Sequence, residues 1–213
     1  MLHSVRIDLD AVRANARTLA THGDFVADVS FDGWGHGAVA AARAALAGGA
    51  SALAVASDAE EAELVATGVT VPILRTRVHP DRLYGLIDGF APAMLVTAEI
   101  VGLKSVSPGD GVSYGYTFRA STDSTLGLVG IGYADGLDRA AGNAGSLLVG
   151  GRDRPIVGRV AMNVLMIDLG DDLVPVGTRA EVFGGSRHAA EWAESIGRRP
   201  EEVVLEFAAR ASA

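Results

Sequence analysis

The chain has 213 residues, 49% hydrophobic and 21% charged, a balance that describes a globular protein with a real core and excludes a disordered one. A net charge of -8 and an isoelectric point near 5.0 argue against nucleic acid or an anionic membrane as the partner. Cysteine is absent, which excludes disulfides and thiolate metal sites and is compatible with a reducing compartment.

The opening stretch MLHSVRIDLDAVRANA alternates polar and apolar residues, with no basic segment leading into an apolar one, so no signal peptide is expected. No run approaches the roughly 20 apolar residues of a membrane helix, and the expected location is cytoplasmic. LDAVRANARTLA predicts a first helix. DFVADVS (24–30) predicts a strand, FDGWGHG a turn, and AVAAARAALAGG a helix stopped by paired glycines. ALAVAS (52–57) is a second predicted strand, and Ser57 or Asp58 caps the helix AEEAELVATG. VPILRTR (71–77) is a third strand, and HPDRLYGLIDG reads as a short helix opened by Pro80. Strand–helix units of this kind imply a parallel sheet.

From about Ala91 the texture changes. Glycine and proline punctuate short β-rich runs: PAMLVTAEIVGLKSV, GVSYGYTF, TLGLVGIGY, GSLLVGG, RPIVGRVAMNVLMIDLG and GTRAEVFG. These predict an antiparallel β-domain, followed by the helix AAEWAESIG and a polar tail, RRPEEVVLEFAARASA. The fold class is therefore α/β plus all-β, with residues 1–90 in the first unit and 91–213 in the second. Of the two, the β-domain is expected to be the more stable.

Single motifs carry little chemistry. The glycine-rich FDGWGHGA could present backbone N–H groups to a phosphate, although most such turns only make a tight connection. His36 within it reads as a structural loop histidine. His3, His22, His79 and His188 lack ligand spacing, so no metal site is expected. Tyr114 in VSYG can serve as a general acid or base if a neighbouring cation lowers its pKa; the ordinary role of such a tyrosine is packing.

In order, the segments IDLDAVRAN, GWGHGA, GGASALAVAS, PILR, PGDGVSYGYTF, GYADGLDR, PIVGRVAMN, DLGDD and AEWAESIG resemble the alanine racemase family along nearly the whole chain. The match is closest from Pro92 to Gly197. The resemblance implies a (β/α)8 barrel joined to a C-terminal β-domain, working as a head-to-tail dimer. It also implies pyridoxal phosphate (PLP) held as a Schiff base on a lysine, with that lysine and a tyrosine from the partner subunit exchanging the substrate proton. By motif position the tyrosine is Tyr114. Tyr133 lies in the motif that lines the substrate entrance, and Met162 with its neighbour falls on the substrate-carboxylate loop.

The departures from the family are severe. Ser30 stands where the family has the lysine, and the only lysine in the chain is Lys104. Trp34 replaces a phosphate-contacting tyrosine, Asn163 an aspartate, and Arg198 or Arg199 a second phosphate-contacting tyrosine. Some ninety residues precede the β-domain, whereas a complete barrel takes about 250. The expected architecture is thus a barrel fragment of about three units followed by an alanine-racemase-type β-domain. The expected function is a homologue that has lost racemisation and binds no PLP, a homo- or hetero-oligomer that partners or regulates a full-length racemase. No residue is assigned to cofactor or metal. The alternative readings are a residual isomerase interconverting L- and D-alanine for cell-wall precursors, an enzyme of unrelated small-molecule chemistry, and a relic without function.

Overall fold

The computed structural model describes residues 2–211. It begins with a strand, β1 (His3–Ile7), and a helix, α1 (Leu9–Ala20). Asp8 caps α1 by accepting from Asp10 N and Ala11 N at 3.0 and 3.1 Å, satisfying two of the free N–H groups at the helix start. Three parallel strands follow in the order β2 (Val26–Asp28), β3 (Ala52–Ala54) and β4 (Ile73–Leu74). Between them lie a left-handed turn, α2 (Ser30–Gly35), and the helices α3 (Ala38–Ala47) and α4 (Asp58–Ala66). β3 is buried at all three positions, as a strand covered on both faces must be. This is the barrel fragment, with the three strands that the sequence predicts. The strands are shorter than expected, because the parallel ladder holds only where two strands overlap.

The β-domain is built on β5 (Met94–Val106), a strand of 13 residues. A short hairpin comes next, β6 (Gly111–Val112) and β7 (Phe118–Arg119), bracketing a 3-10 turn at Tyr114–Tyr116. Then come β8 (Ser124–Val129), β9 (Ser146–Val149), β10 (Arg152–Pro155), β11 (Leu165–Gly170) and β12 (Arg179–Phe183). The antiparallel order is β10-β9-β12-β5-β8-β11. Its two edges are drawn together by an Ile156–Ile167 bridge and by Arg152 and Arg154 on Asp172, so the sheet nearly closes. Arg154 and Arg152 hold the Asp172 carboxyl below its usual range. β11 buries Leu165, Ile167 and Leu169 in strict alternation, the period of a strand with one face on the core.

Two expectations need correction. HPDRLYGLIDG is a series of turns and not a helix; it buries Leu83, Tyr84, Gly85 and Leu86 in succession, which one face of a helix cannot do. The polar tail is instead a 12-residue helix, α6 (Pro200–Ala211), following the shorter α5 (Ala189–Ser195). Its Val203, Val204 and Phe207 are buried, its first turn is acidic and Arg210 lies in its last, the polarity a helix dipole favours. β1, which precedes the parallel strands in sequence, pairs antiparallel with β5. One apolar core consequently runs from Ala11 in α1 to Phe207 in α6.

Candidate functional site

The turn after β2 runs left-handed through four residues: Phe31, Asp32, Gly33 and Trp34 have φ between 53° and 61°. Three of these carry a Cβ, and each such residue costs roughly 1–2 kcal/mol in this region. Polar side chains hold the turn. Glu60 accepts from Phe31 N at 2.7 Å with one oxygen, and from Ala56 N and Ser57 N at 2.8 and 3.1 Å with the other. Glu60 also closes a capping box with Ser57 at the start of α4. Asp32 accepts from Ala38 N at 2.8 Å, opening α3. Asp28, 3% exposed, accepts from Ser30 N at 2.9 Å. Gly35 packs against α6, where an added Cβ would meet that of Ala208 at 2.3 Å.

His36 is buried in this turn and stacks on Tyr84 with ring centroids 4.4 Å apart. Its Nδ1 lies 3.1 Å from Gly33 O and 3.0 Å from Trp34 O, so the neutral ring donates from Nδ1. Burial lowers its pKa to about 4, against the smaller raising effect of those two carbonyls. The Tyr84 hydroxyl donates to Asp28 O at 3.0 Å, and burial pushes its phenol well above the usual range. His36 is a structural residue.

Ser30 is 4% exposed and lines a cavity of about 500 Å³ at the carboxyl ends of the three parallel strands. Phe31 and Trp34 form an aromatic wall, their rings edge-to-face at 5.1 Å. Charged groups of both signs line it as well: Asp28, Arg75, Arg77, Arg199, Glu201 and Glu202. Arg198 does not. It is held by Asp138 and Glu206 at 2.8 Å each and by Glu202 at 3.2 Å, while Arg199 pairs with Glu202 and Glu201 at 2.9 and 3.5 Å. Lys104 is elsewhere, exposed on β5 opposite Leu126. Among the described residues no group of three His, Asp or Glu side chains could hold a metal ion, and no helix is long and apolar enough to cross a membrane.

Tyr114, Tyr133 and Met162 do not line this cavity. They are exposed by 74%, 43% and 57% on neighbouring loops of the β-domain. Ser113 Oγ donates to Arg159 O at 2.8 Å, Tyr133 N to Ala161 O at 3.1 Å and Ala134 N to Met162 O at 2.9 Å. The segment 159–162 is therefore a hub joining the two tyrosine turns. Gly132 permits this: a Cβ there would meet Ala161 O at 2.3 Å and Met162 O at 2.4 Å. Tyr116 is exposed beside them, with the Arg119 guanidinium 5.8 Å from its ring; Arg139 sits 5.6 Å from that of Tyr133. Asn163 is exposed on the same loop.

Sequence reasoning passed over Glu60, Asp28 and the acidic pair Glu201 and Glu202. A signal existed for Glu60, because Ser57 followed three residues later by glutamate is a capping-box pattern. Its reach to Phe31, 29 residues away, had none.

The alanine racemase N-terminal domain matches residues 7–93 and the alanine racemase C-terminal domain residues 93–213. Alanine racemase of Thermobifida fusca is 41% identical over 128 residues, covering 58% of this chain and 34% of that protein. The Frankia casuarinae enzyme is 36% identical over 166 residues, covering 75% and 42%. The match thus spans about a third to two-fifths of these relatives. Among solved structures, the Streptomyces lavendulae alanine racemase superposes with a TM-score of 0.84 at 22% identity over 97% of this chain and 95% of that one. The Bartonella henselae enzyme with covalently bound PLP gives 0.80 at 17%, over 97% of each. These likenesses establish the fold, and the two domain matches, joined end to end, establish that the chain belongs to the alanine racemase family.

Proposed function

We propose that this chain is a non-racemising member of its family, and that the β-domain face bearing Tyr114, Tyr133 and Met162 docks on a partner barrel. The observation that carries the first part is Ser30, at the head of the left-handed turn where the family's lysine stands. A hydroxyl forms no imine, and the one lysine is on β5, away from the cavity. The acidic Glu201 and Glu202 line that cavity, and its Arg199 is committed to them. The residues present therefore do not fit the family's covalently held cofactor: they offer no amine for its aldehyde, and three carboxylates share the lining with the three arginines. Loss of one general base alone costs a factor of about 10²–10⁴; here the tether and most of the barrel are absent too. Borohydride reduction followed by mass spectrometry tests this part. The expected result is no PLP adduct, and a stable adduct on Lys104 would overturn it.

The docking part rests on exposure. Tyr114, Tyr116, Tyr133 and Met162 together leave an aromatic and thioether face open to solvent, and monomers rarely expose apolar patches above about 300–600 Å² without a partner. On one chain this face and the Ser30 cavity share no residue; a second barrel mouth can bring the two kinds of surface together. A full-length racemase has a complete mouth to offer, so the mixed dimer is favoured over the self-dimer. Sedimentation with and without the host racemase distinguishes the two, and a single monomeric species in both samples leaves the relic reading in front.

A further inference from the structure

The cavity beside Ser30 is a separate feature from the docking face, and at about 500 Å³ it is the size of a small-molecule site. Its charges divide into spent and unspent. Arg75 is held by Asp58 and by Glu61, the latter at 2.7 Å, and Arg199 by Glu201 and Glu202. Asp28 accepts from Ser30 N at 2.9 Å and from Val78 N at 3.4 Å. Arg77, by contrast, has no hydrogen bond or ion pair to any described residue, and neither does the Ser30 hydroxyl, although Ser30 is 96% buried by its 4% exposure. His79, two residues beyond Arg77, lines the same wall. The groups left without a described partner thus include the Arg77 guanidinium and the Ser30 hydroxyl, both able to donate, and Phe31 and Trp34 supply an aromatic surface beside them.

We infer that this cavity is a non-covalent site for a small organic carboxylate with a flat apolar body. Arg77 would receive the carboxylate, Ser30 and His79 would complete its hydrogen bonds, and the body would lie against Phe31 and Trp34. A planar guanidinium matches a carboxylate in charge and in fork geometry. A phosphate group carries nearly twice that charge, and here it would meet one free arginine with Glu201 and Glu202 close by. Binding is non-covalent because no amine lines the cavity. The inference does not depend on the docking reading, since Tyr114 and the cavity share no residue.

Phenylacetate is the probe, titrated into the full chain by calorimetry alongside phenylacetamide, inorganic phosphate and PLP. Trp34 supplies a second readout, because the other tryptophan, Trp192, is fully buried in the core. The expected result is saturable phenylacetate binding with a change in Trp34 emission, and at least about tenfold weaker binding of the neutral amide. Arg77→Ala should bring phenylacetate down to the level of the amide, with Arg77→Lys between. Trp34→Phe should abolish the optical signal but keep the calorimetric one. Lys104→Ala, on β5 away from the cavity, should change nothing. Arg77 is exposed, so its variants should keep the near-UV signal of Trp192 and can be compared as folded proteins. The inference is overturned if phenylacetate fails to saturate by about 10 mM, if Arg77→Ala binds it as well as the parent, or if phosphate or PLP binds more tightly.

Discussion

The two halves of this molecule satisfy their backbones in different ways. The β-domain does so through its ladder, anchored on the 13 residues of β5 and backed by Phe183, Trp192 and Phe207 with ring centroids 5.6–6.5 Å apart. The barrel fragment has strands of three, three and two residues, and side chains do much of the work instead. Buried Asn15 accepts from Ala91 N at 2.8 Å and donates to Leu83 O and Ala91 O; Asp28, Asp32 and Glu60 hold the turn. A sheet that has lost its neighbours can persist when polar side chains and a helix from elsewhere, here α6, replace them. The replacement ties the two halves into one core, so the fragment is not free to unfold by itself as an isolated three-stranded sheet would be.

The largest expected effect tests that unity. Trp192→Ala removes the biggest fully buried side chain and its Nε1 bond to Ser146 O, 3.1 Å long, at a cost of about 3–5 kcal/mol. Trp34 is then the only tryptophan and reports on the fragment. Its emission and the far-UV circular dichroism are expected to change at one denaturant concentration; two separate transitions would show the halves to be independent.

Acid should act through the fragment. The His36 pKa is about 4 in the fold because burial outweighs its two carbonyl partners, against about 6.5 in an unfolded chain. Between those values the unfolded chain binds the extra proton, so stability rises with pH across this window and falls as pH drops from 6.5 towards 4. The contribution is about 3 kcal/mol. Urea midpoints at pH 7 and pH 4 measure it, and His36→Gln is expected to flatten the difference. An unchanged pH dependence in that variant would assign the acid sensitivity to the β-domain.

Glu60→Gln is a smaller change, about 1–3 kcal/mol, because an amide has one oxygen for three backbone donors that two now serve. Hydrogen exchange should accelerate at Phe31, Ala56 and Ser57 and stay constant along β5 and β8. Equal acceleration in both halves would mean that the turn is not held locally.

The order of motifs made the architecture legible, since glycine-bounded strands such as GSLLVGG and the capped helix after Ser57 announce themselves by local chemistry. α6 was obscured by the charges of RRPEE, while the informative residues were Val203, Val204 and Phe207 at helical spacing. The left-handed turn could not be read, because Phe31 and Trp34, on either side of Asp32 and Gly33, are not residues that advertise positive φ. Its stabilisers lie far off in sequence. The same limit applies to the site: Ser30 and Tyr114 stand out by motif position, but that they occupy separate surfaces, and that Arg77 is left unpaired in the cavity, are consequences of packing alone.

The smallest effect on stability should accompany a decisive effect on association. Tyr114 and Met162 are mostly solvent-exposed, and neither side chain makes a hydrogen bond to a described residue. Tyr114→Ala and Met162→Asp should therefore shift the unfolding free energy by no more than about 0.5 kcal/mol. If this face docks on a barrel mouth, both should weaken association with a full-length racemase, Met162→Asp the more, because it places an unpaired charge in a desolvated contact. Arg75→Ala, which removes two ion pairs on the fragment's own rim, should leave association unchanged. Sedimentation of the three variants ranks the surfaces. If only the Arg75 variant loses the complex, the fragment and not the β-domain carries the partner contact, and the assignment of roles to the two halves is reversed.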